Sequence, residues 1–142
     1  MKTFITRERV AFFETDASGI MYFGAASRYF EIGEREALRG IGVKVGDSMR
    51  GGQELPRVHV TTDYHKPLFY DDEIEIHTEC TSIRNSSLIW NFKIYRGEEL
   101  CISGEMTVCA IDSEFRRPIR IPDSWREYLL GNSTETEVTS CN

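Results

Sequence analysis

Between Glu14 and Gly40 the chain reads ETDASGIMYFGAASRYFEIGEREALRG, a polar turn that runs into a segment of helical period. Tyr22, Ala26, Tyr29, Phe30, Gly33, Ala37 and Ile41 recur on one stripe of a helical wheel, while Arg28, Glu31, Arg35 and Arg39 take the other side. Glu31 followed by Arg35 is the favourable order for a pair one turn apart, but such a pair contributes only about 0.2–0.5 kcal/mol, so burial has to hold this helix. Ala26, Gly33 and Ala37 are small for buried positions, and Gly33 costs about 1 kcal/mol in helix propensity. Something must approach the helix backbone closely there, and a sheet wrapped around the helix meets that need.

The rest of the chain supplies the sheet. Phe4 to Phe13 reads as a first strand, and four more follow the helix: Arg57 to Tyr64, Glu73 to Cys80, Leu88 to Tyr95 and Leu100 to Ile111. Within Glu73 to Cys80, Ile74, Ile76, Thr78 and Cys80 alternate with Glu73, Glu75, His77 and Glu79, the pattern of a strand with one solvated face. Arg96-Gly97-Glu98 is a hairpin turn, and Gly104 marks a bulge or a point where the helix presses close. Gly40 and Gly42 stop the long helix, and the glycine-rich, charged stretch Val43 to Gln53 reads as a loop, a candidate lid beside a site. Asp123 to Leu130 forms a short helix, with Pro122 at its start, Trp125, Tyr128 and Leu129 on one side and Gly131 at its end. The expected architecture is one α+β domain over residues 1–131, an antiparallel sheet of about five strands carrying one long helix on a face, with a disordered tail over 132–142 that lacks apolar content.

Composition narrows the function classes. A net charge of −6 argues against nucleic acid or an anionic membrane as the main partner. The opening MKTFITRERV turns charged before an apolar run develops, and no stretch is apolar enough to span a bilayer, so a cytoplasmic protein is expected. Cys80, Cys101, Cys109 and Cys141 form no CxxC pair and read as reduced thiols, and His59, His65 and His77 are not spaced as zinc ligands. GIGVKVG at Gly40 to Gly46 has the wrong glycine spacing for a dinucleotide fingerprint and closes a helix instead of opening one.

Nucleophile elbows, HExxH and phosphate-binding loops are absent, which leaves Asp16 as the candidate for chemistry. It stands in the turn Asp16-Ala17-Ser18-Gly19 ahead of the helix. Two roles fit: a cap for the helix N-terminus, or a carboxylate beside N–H donors that acts on an acyl group, directly or through water.

The run Thr15-Asp16-Ala17-Ser18-Gly19-Ile20-Met21-Tyr22-Phe23, continuing to Arg28-Tyr29-Phe30-Glu31, resembles the signature of the 4-hydroxybenzoyl-CoA thioesterase-like branch of the hotdog-fold acyl-CoA thioesterases. Tyr64 to Pro67, Tyr70-Asp71-Asp72 and Arg117-Pro118 to Pro122 resemble later segments of the same family, so that about the first 130 residues fit in order. The resemblance implies the hotdog fold, at least a homodimer or homotetramer, since such sites form between subunits, and hydrolysis of an acyl-CoA thioester without a metal or redox cofactor. It implies Asp16 as nucleophile or general base, Phe23 as the residue whose backbone N–H polarises the thioester carbonyl, and Gly19 as the residue that permits the tight turn. Two departures bear on the substrate: Phe23 stands where some relatives carry His, and Ala25 and Ala26 stand where Asn and Tyr are usual, which implies a roomier, more apolar acyl pocket bounded by Tyr22 and Ala26. Arg57, Lys66, Arg84, Arg116 and Arg117 are the basic candidates for the coenzyme phosphates, and Glu31 and Glu34 are solvated or assisting carboxylates. Release of acyl groups from acyl carrier protein, and a non-catalytic acyl-CoA-binding module with Asp16 as a cap, are the alternatives.

Overall fold

The structure is a computed structural model and describes residues 1–42, 53–131 and 136–140. The long helix α1 runs from Ala25 to Arg39. Strands β1 (Thr3–Arg9), β2 (Gln53–Glu54), β3 (Arg57–Tyr64), β4 (Glu73–Ile83), β5 (Ser87–Arg96), β6 (Glu99–Cys109), β7 (Ile111–Asp112) and β8 (Thr136–Ser140), with a second helix α2 (Asp123–Leu130), complete the order. Six strands form one sheet in the order β3-β6-β5-β4-β1-β8, and β2 pairs with β7 apart from it. The five expected strands pair antiparallel with one another, and α1 lies across one face. No helix among the described residues is long and apolar enough to cross a membrane.

The small residues of α1 do what their size suggested. A Cβ built on Gly33 would stand 2.2 Å from Thr78 Oγ1 and 3.2 Å from Ile76 and Phe92 side-chain atoms, so the helix backbone rests directly on β4 and β5. Next to it Phe30 stacks on Phe92, with ring centroids 4.5 Å apart and planes 7° apart. Gly104 on β6 is a close-approach glycine, since its Cβ would meet the Phe30 ring at 2.3 Å, while the register Thr62 opposite Gly104 runs through it without a bulge. Tyr29, Phe30, Ile32, Ala37 and Leu38 from the helix and Ile74, Ile76, Leu88, Trp90, Phe92 and Ile94 from the sheet fill the core.

Three expectations change. The helix starts at Ala25, three residues after Tyr22, because Met21 and Ile20 are held in bridges to Thr15 and Phe69 and cannot turn helical. Glu34 is buried instead of solvated: Arg57 Nη2 donates to its Oε1 at 2.6 Å, and burial raises its pKa against the pull of the guanidinium. The Trp90 indole N–H lies alongside and favours the charged form, yet neither it nor Glu34 Oε2 completes a hydrogen bond of ordinary geometry. The tail, read as disordered, carries β8, which pairs parallel to β1 from Thr3 opposite Thr136 to Arg7 opposite Ser140. Main-chain pairing needs no apolar side chains, and Thr and Val favour extended backbone. The candidate lid at residues 43–52, and Cys141, lie outside the described residues.

Gly33→Ala gains about 1 kcal/mol of helix propensity but drives a methyl into Thr78. The expected net result is a loss of about 1–3 kcal/mol in urea unfolding, part of which Thr78→Ala in the same chain restores.

Candidate active site

Asp16 is exposed and caps its own turn. Ser18 donates to Asp16 Oδ1 twice, from its N–H at 2.9 Å and from its hydroxyl. The Asp16 N–H donates to Ile20 O at 2.9 Å, and the Gly19 N–H to Asp16 O at 3.0 Å. Gly19 has φ +79° with open space around its α-carbon, so it is needed for the left-handed backbone and not for a close approach. The Ser18 hydroxyl, then the Ser18 N–H, hold the Asp16 carboxyl below the usual carboxylate range, because both stabilise the charged form. The cap of α1 is Gly24, which supplies no side-chain hydrogen bond, so helix capping by Asp16 is set aside.

Two sets of bonds fix this turn against the sheet. On one side Glu14, buried, accepts from the Ala11 N–H at 2.8 Å and from Arg28 Nη1 at 3.1 Å, and its carbonyl takes the Tyr22 N–H at 2.9 Å. On the other the Met21 N–H donates to Leu68 O at 2.8 Å, and Arg96 holds the 67–72 segment through Pro67 O at 3.0 Å and Asp72 Oδ2 at 2.9 Å.

Beside the turn a cleft of about 290 Å³ is lined by Ile20, Met21, Tyr64, His65, Lys66, Leu68 and Ile102. Its floor is apolar, and the cation at its rim, Lys66, pairs with Glu99 at 3.2 Å across solvent. His65 Nε2 lies 2.8 Å from Ser103 Oγ. Phe23, 80% exposed, projects near it: Tyr64 hydroxyl donates to the Phe23 carbonyl, while the Phe23 N–H has no acceptor among the described residues. A larger groove of about 590 Å³ lies along Arg7, Glu8, Arg9, Glu73 and Glu75, and there Arg7 pairs with Glu75 and Arg9 with Glu73.

The fold brings Asp16, Gly19, Tyr22 and Phe23 together at one end of the sheet, with Lys66 at the rim. Tyr22 is half-exposed and its ring packs on Gly24. Ala25 and Ala26 are both buried, and neither lines the 290 Å³ cleft. Arg57, tied to Glu34, and Arg84, at the turn between β4 and β5, sit at the opposite end of the sheet, since Arg57 stands opposite Val108 whereas Tyr64 stands opposite Ile102. Arg116 and Arg117 follow β7, where Arg116 Nη1 is 3.8 Å from Glu54. Sequence reasoning assigns no cleft role to Met21, Tyr64, Leu68 or Ile102. The available signal was Pro67, which follows the end of β3 at Tyr64 and itself lines the cleft.

A model of the thioesterase-like superfamily matches residues 10–129. The chain belongs to that superfamily. Among its relatives, a putative esterase of Aquifex aeolicus is 33% identical over 100 residues, covering 70% of this chain and 77% of the relative. A 1,4-dihydroxy-2-naphthoyl-CoA hydrolase of Synechococcus sp. (strain CC9605) is 30% identical over 130 residues, 87% of each chain. The crystal structure of a 1,4-dihydroxy-2-naphthoyl-CoA thioesterase from Synechocystis superposes with a TM-score of 0.84 at 19% identity, covering 90% of this chain and 96% of that one. The hotdog fold of this thioesterase-like chain is therefore the one its turn and helix resembled.

The Asp16 pKa, read from the carboxyl carbon by NMR, is expected to lie below the ordinary carboxylate range. In Ser18→Ala it moves up, because the charged form loses its strongest hydrogen bond while the proton-bound form loses little.

Proposed function

We propose that this chain hydrolyses acyl-CoA thioesters, with Asp16 as the reacting carboxylate and the Phe23 N–H as an oxyanion donor. The observation that carries the reading is an exposed carboxylate kept ionised by its own turn, beside an apolar cleft and a helix-start N–H that no acceptor among the described residues engages. The name of the Synechococcus relative supports a coenzyme A thioester as the substrate class. In the direct route an Asp16 oxygen bonds to the carbonyl carbon, the C–S bond breaks, coenzyme A leaves as thiolate, and water cleaves the resulting anhydride. In the alternative Asp16 takes a proton from water, whose oxygen attacks, and the same C–S bond breaks. In both, negative charge develops on the carbonyl oxygen, where a backbone N–H held in place before the reaction is worth more than solvent that must reorganise. Lys66 is the cation available to a coenzyme phosphate at the cleft rim.

We assay thioester hydrolysis by free-thiol release over short, branched, aromatic and long-chain acyl-CoAs. The expected outcome is turnover of at least one class that falls at least about 10³-fold in Asp16→Asn and Asp16→Ala with folding intact. Acyl-CoA binding without turnover, retained in both variants, marks a binding module, and turnover confined to acyl carrier protein changes the carrier. In a single turnover in ¹⁸O water, an unlabelled acid as first product identifies direct attack.

The active unit in this reading is a homodimer, or a tetramer of two paired dimers, built on β3. That strand ends the sheet, so its outer backbone edge has no partner among the described residues. Val60 and Tyr64 stand opposite buried Met106 and Ile102 on the helix side, yet are 44% and 50% exposed, because α1 does not reach over them. A second copy covers both features at once. Light scattering is expected to give a dimer or tetramer mass, and Val60→Asp to lower both the mass and the hydrolysis rate.

A further inference from the structure

We propose that Tyr64 is a positioning residue for thioester hydrolysis: by donating its phenol to the Phe23 carbonyl it fixes the direction of the Phe23 N–H relative to the cleft. This rests on the hydrolytic reading above.

The segment from Tyr22 to Gly24 has little else to hold it. The peptide plane that carries the Phe23 N–H also carries Tyr22 O, which accepts from the Ala25 N–H at 3.0 Å, so this plane travels with the helix start. The next plane carries Phe23 O, and Tyr64 is the side chain that ties it to the sheet. The Phe23 ring, with most of its surface in solvent, packs too little to orient its own backbone. Gly24 adds conformational freedom at the junction, and it gives α1 no side-chain cap. Among the described residues, the other polar ties between the helix start and the cleft floor are the Glu14 network, which reaches α1 through Arg28, and the bridges of Ile20 and Met21, and none of them holds the Phe23 carbonyl.

Tyr64 is itself well anchored. It is the last residue of β3, opposite Ile102, and the N–H groups of His65 and Lys66 both donate to Cys101 O, at 2.8 and 3.1 Å. Its ring lines the cleft beside Met21, Leu68 and Ile102. One side chain thus touches the cleft floor with its ring and the oxyanion-donating turn with its hydroxyl. Burial raises the phenol pKa, so the hydroxyl remains a donor through the working pH range. An N–H aimed at an oxygen that gains charge only in the transition state lowers the barrier without tightening substrate binding, so loss of its alignment falls on kcat.

The test is Tyr64→Phe, a change of one exposed-edge hydroxyl that leaves the ring's packing in place. The expected result is a kcat lower by about 10-fold to 100-fold, less than the loss of an oxyanion donor outright, with KM within about twofold and an unchanged acid limb of the pH profile. The second readout is the infrared carbonyl stretch of an acyl-CoA bound to Asp16→Asn. There the band lies below its solution frequency, and adding Tyr64→Phe moves it back towards solution. Wild-type kcat in Tyr64→Phe, or a fall confined to KM or Tm with the carbonyl band unmoved, overturns the proposal. Absence of thioester turnover in the unmodified protein defeats the hydrolytic reading instead, and the two failures are separate.

Discussion

The structure depends on how closely the backbone of α1 approaches the sheet at Gly33. With Thr78, Ile76 and Phe92 within van der Waals reach of a missing Cβ, the helix axis has one height and one rotation over β4 and β5. The stacked Phe30 and Phe92 rings, with Phe30 filling the notch left by Gly104, fix its position along and across the strands. A helix seated by glycine notches rather than by long side chains cannot slide without steric overlap, and dense interiors give way little. That rigidity passes to the N-terminus of α1, where the candidate chemistry sits.

The site is therefore a turn clamped between two rigid bodies. Glu14 and Arg28 fasten it to the helix, while Leu68, Phe69 and, through Arg96, Asp72 fasten it to the sheet. The three carboxylates that matter differ by environment. Asp16 is open to water and hydrogen-bonded in its charged form, so it stays ionised and reachable. Glu14 and Glu34 are buried and paired with arginines, and they serve as fasteners. An ionised group works chemically only where solvent and substrate can meet it, and structurally where neither can.

The hydrophobic periods carried most of the fold. Seven positions at helical spacing and four alternating strands left few arrangements that bury both faces; the size of Gly33 pointed to close approach, while Gly104 read as a bulge or a close-approach point. The Asp16–Gly19 turn was legible because its geometry is local, a short polar turn with a glycine in left-handed backbone, while Phe23 entered only through the family resemblance. Tyr64 and Ile102 were not legible, because they reach the turn from segments some forty or more residues away, and alternation along a strand reports its faces but not where the helix above it ends.

By itself, then, the sequence determined the long helix, the five principal strands and their order, and it singled out the Asp16 turn as the candidate site, since these follow from backbone propensity and from patterns within a few residues. Tertiary structure alone decided that Glu34 is buried with Arg57, that Arg57 and Arg84 lie at the far end of the sheet from Asp16, and that the polar tail pairs with β1. Those outcomes depend on strand order and on which surfaces the helix covers. They are sums over distant contacts, and no local pattern of residues encodes them.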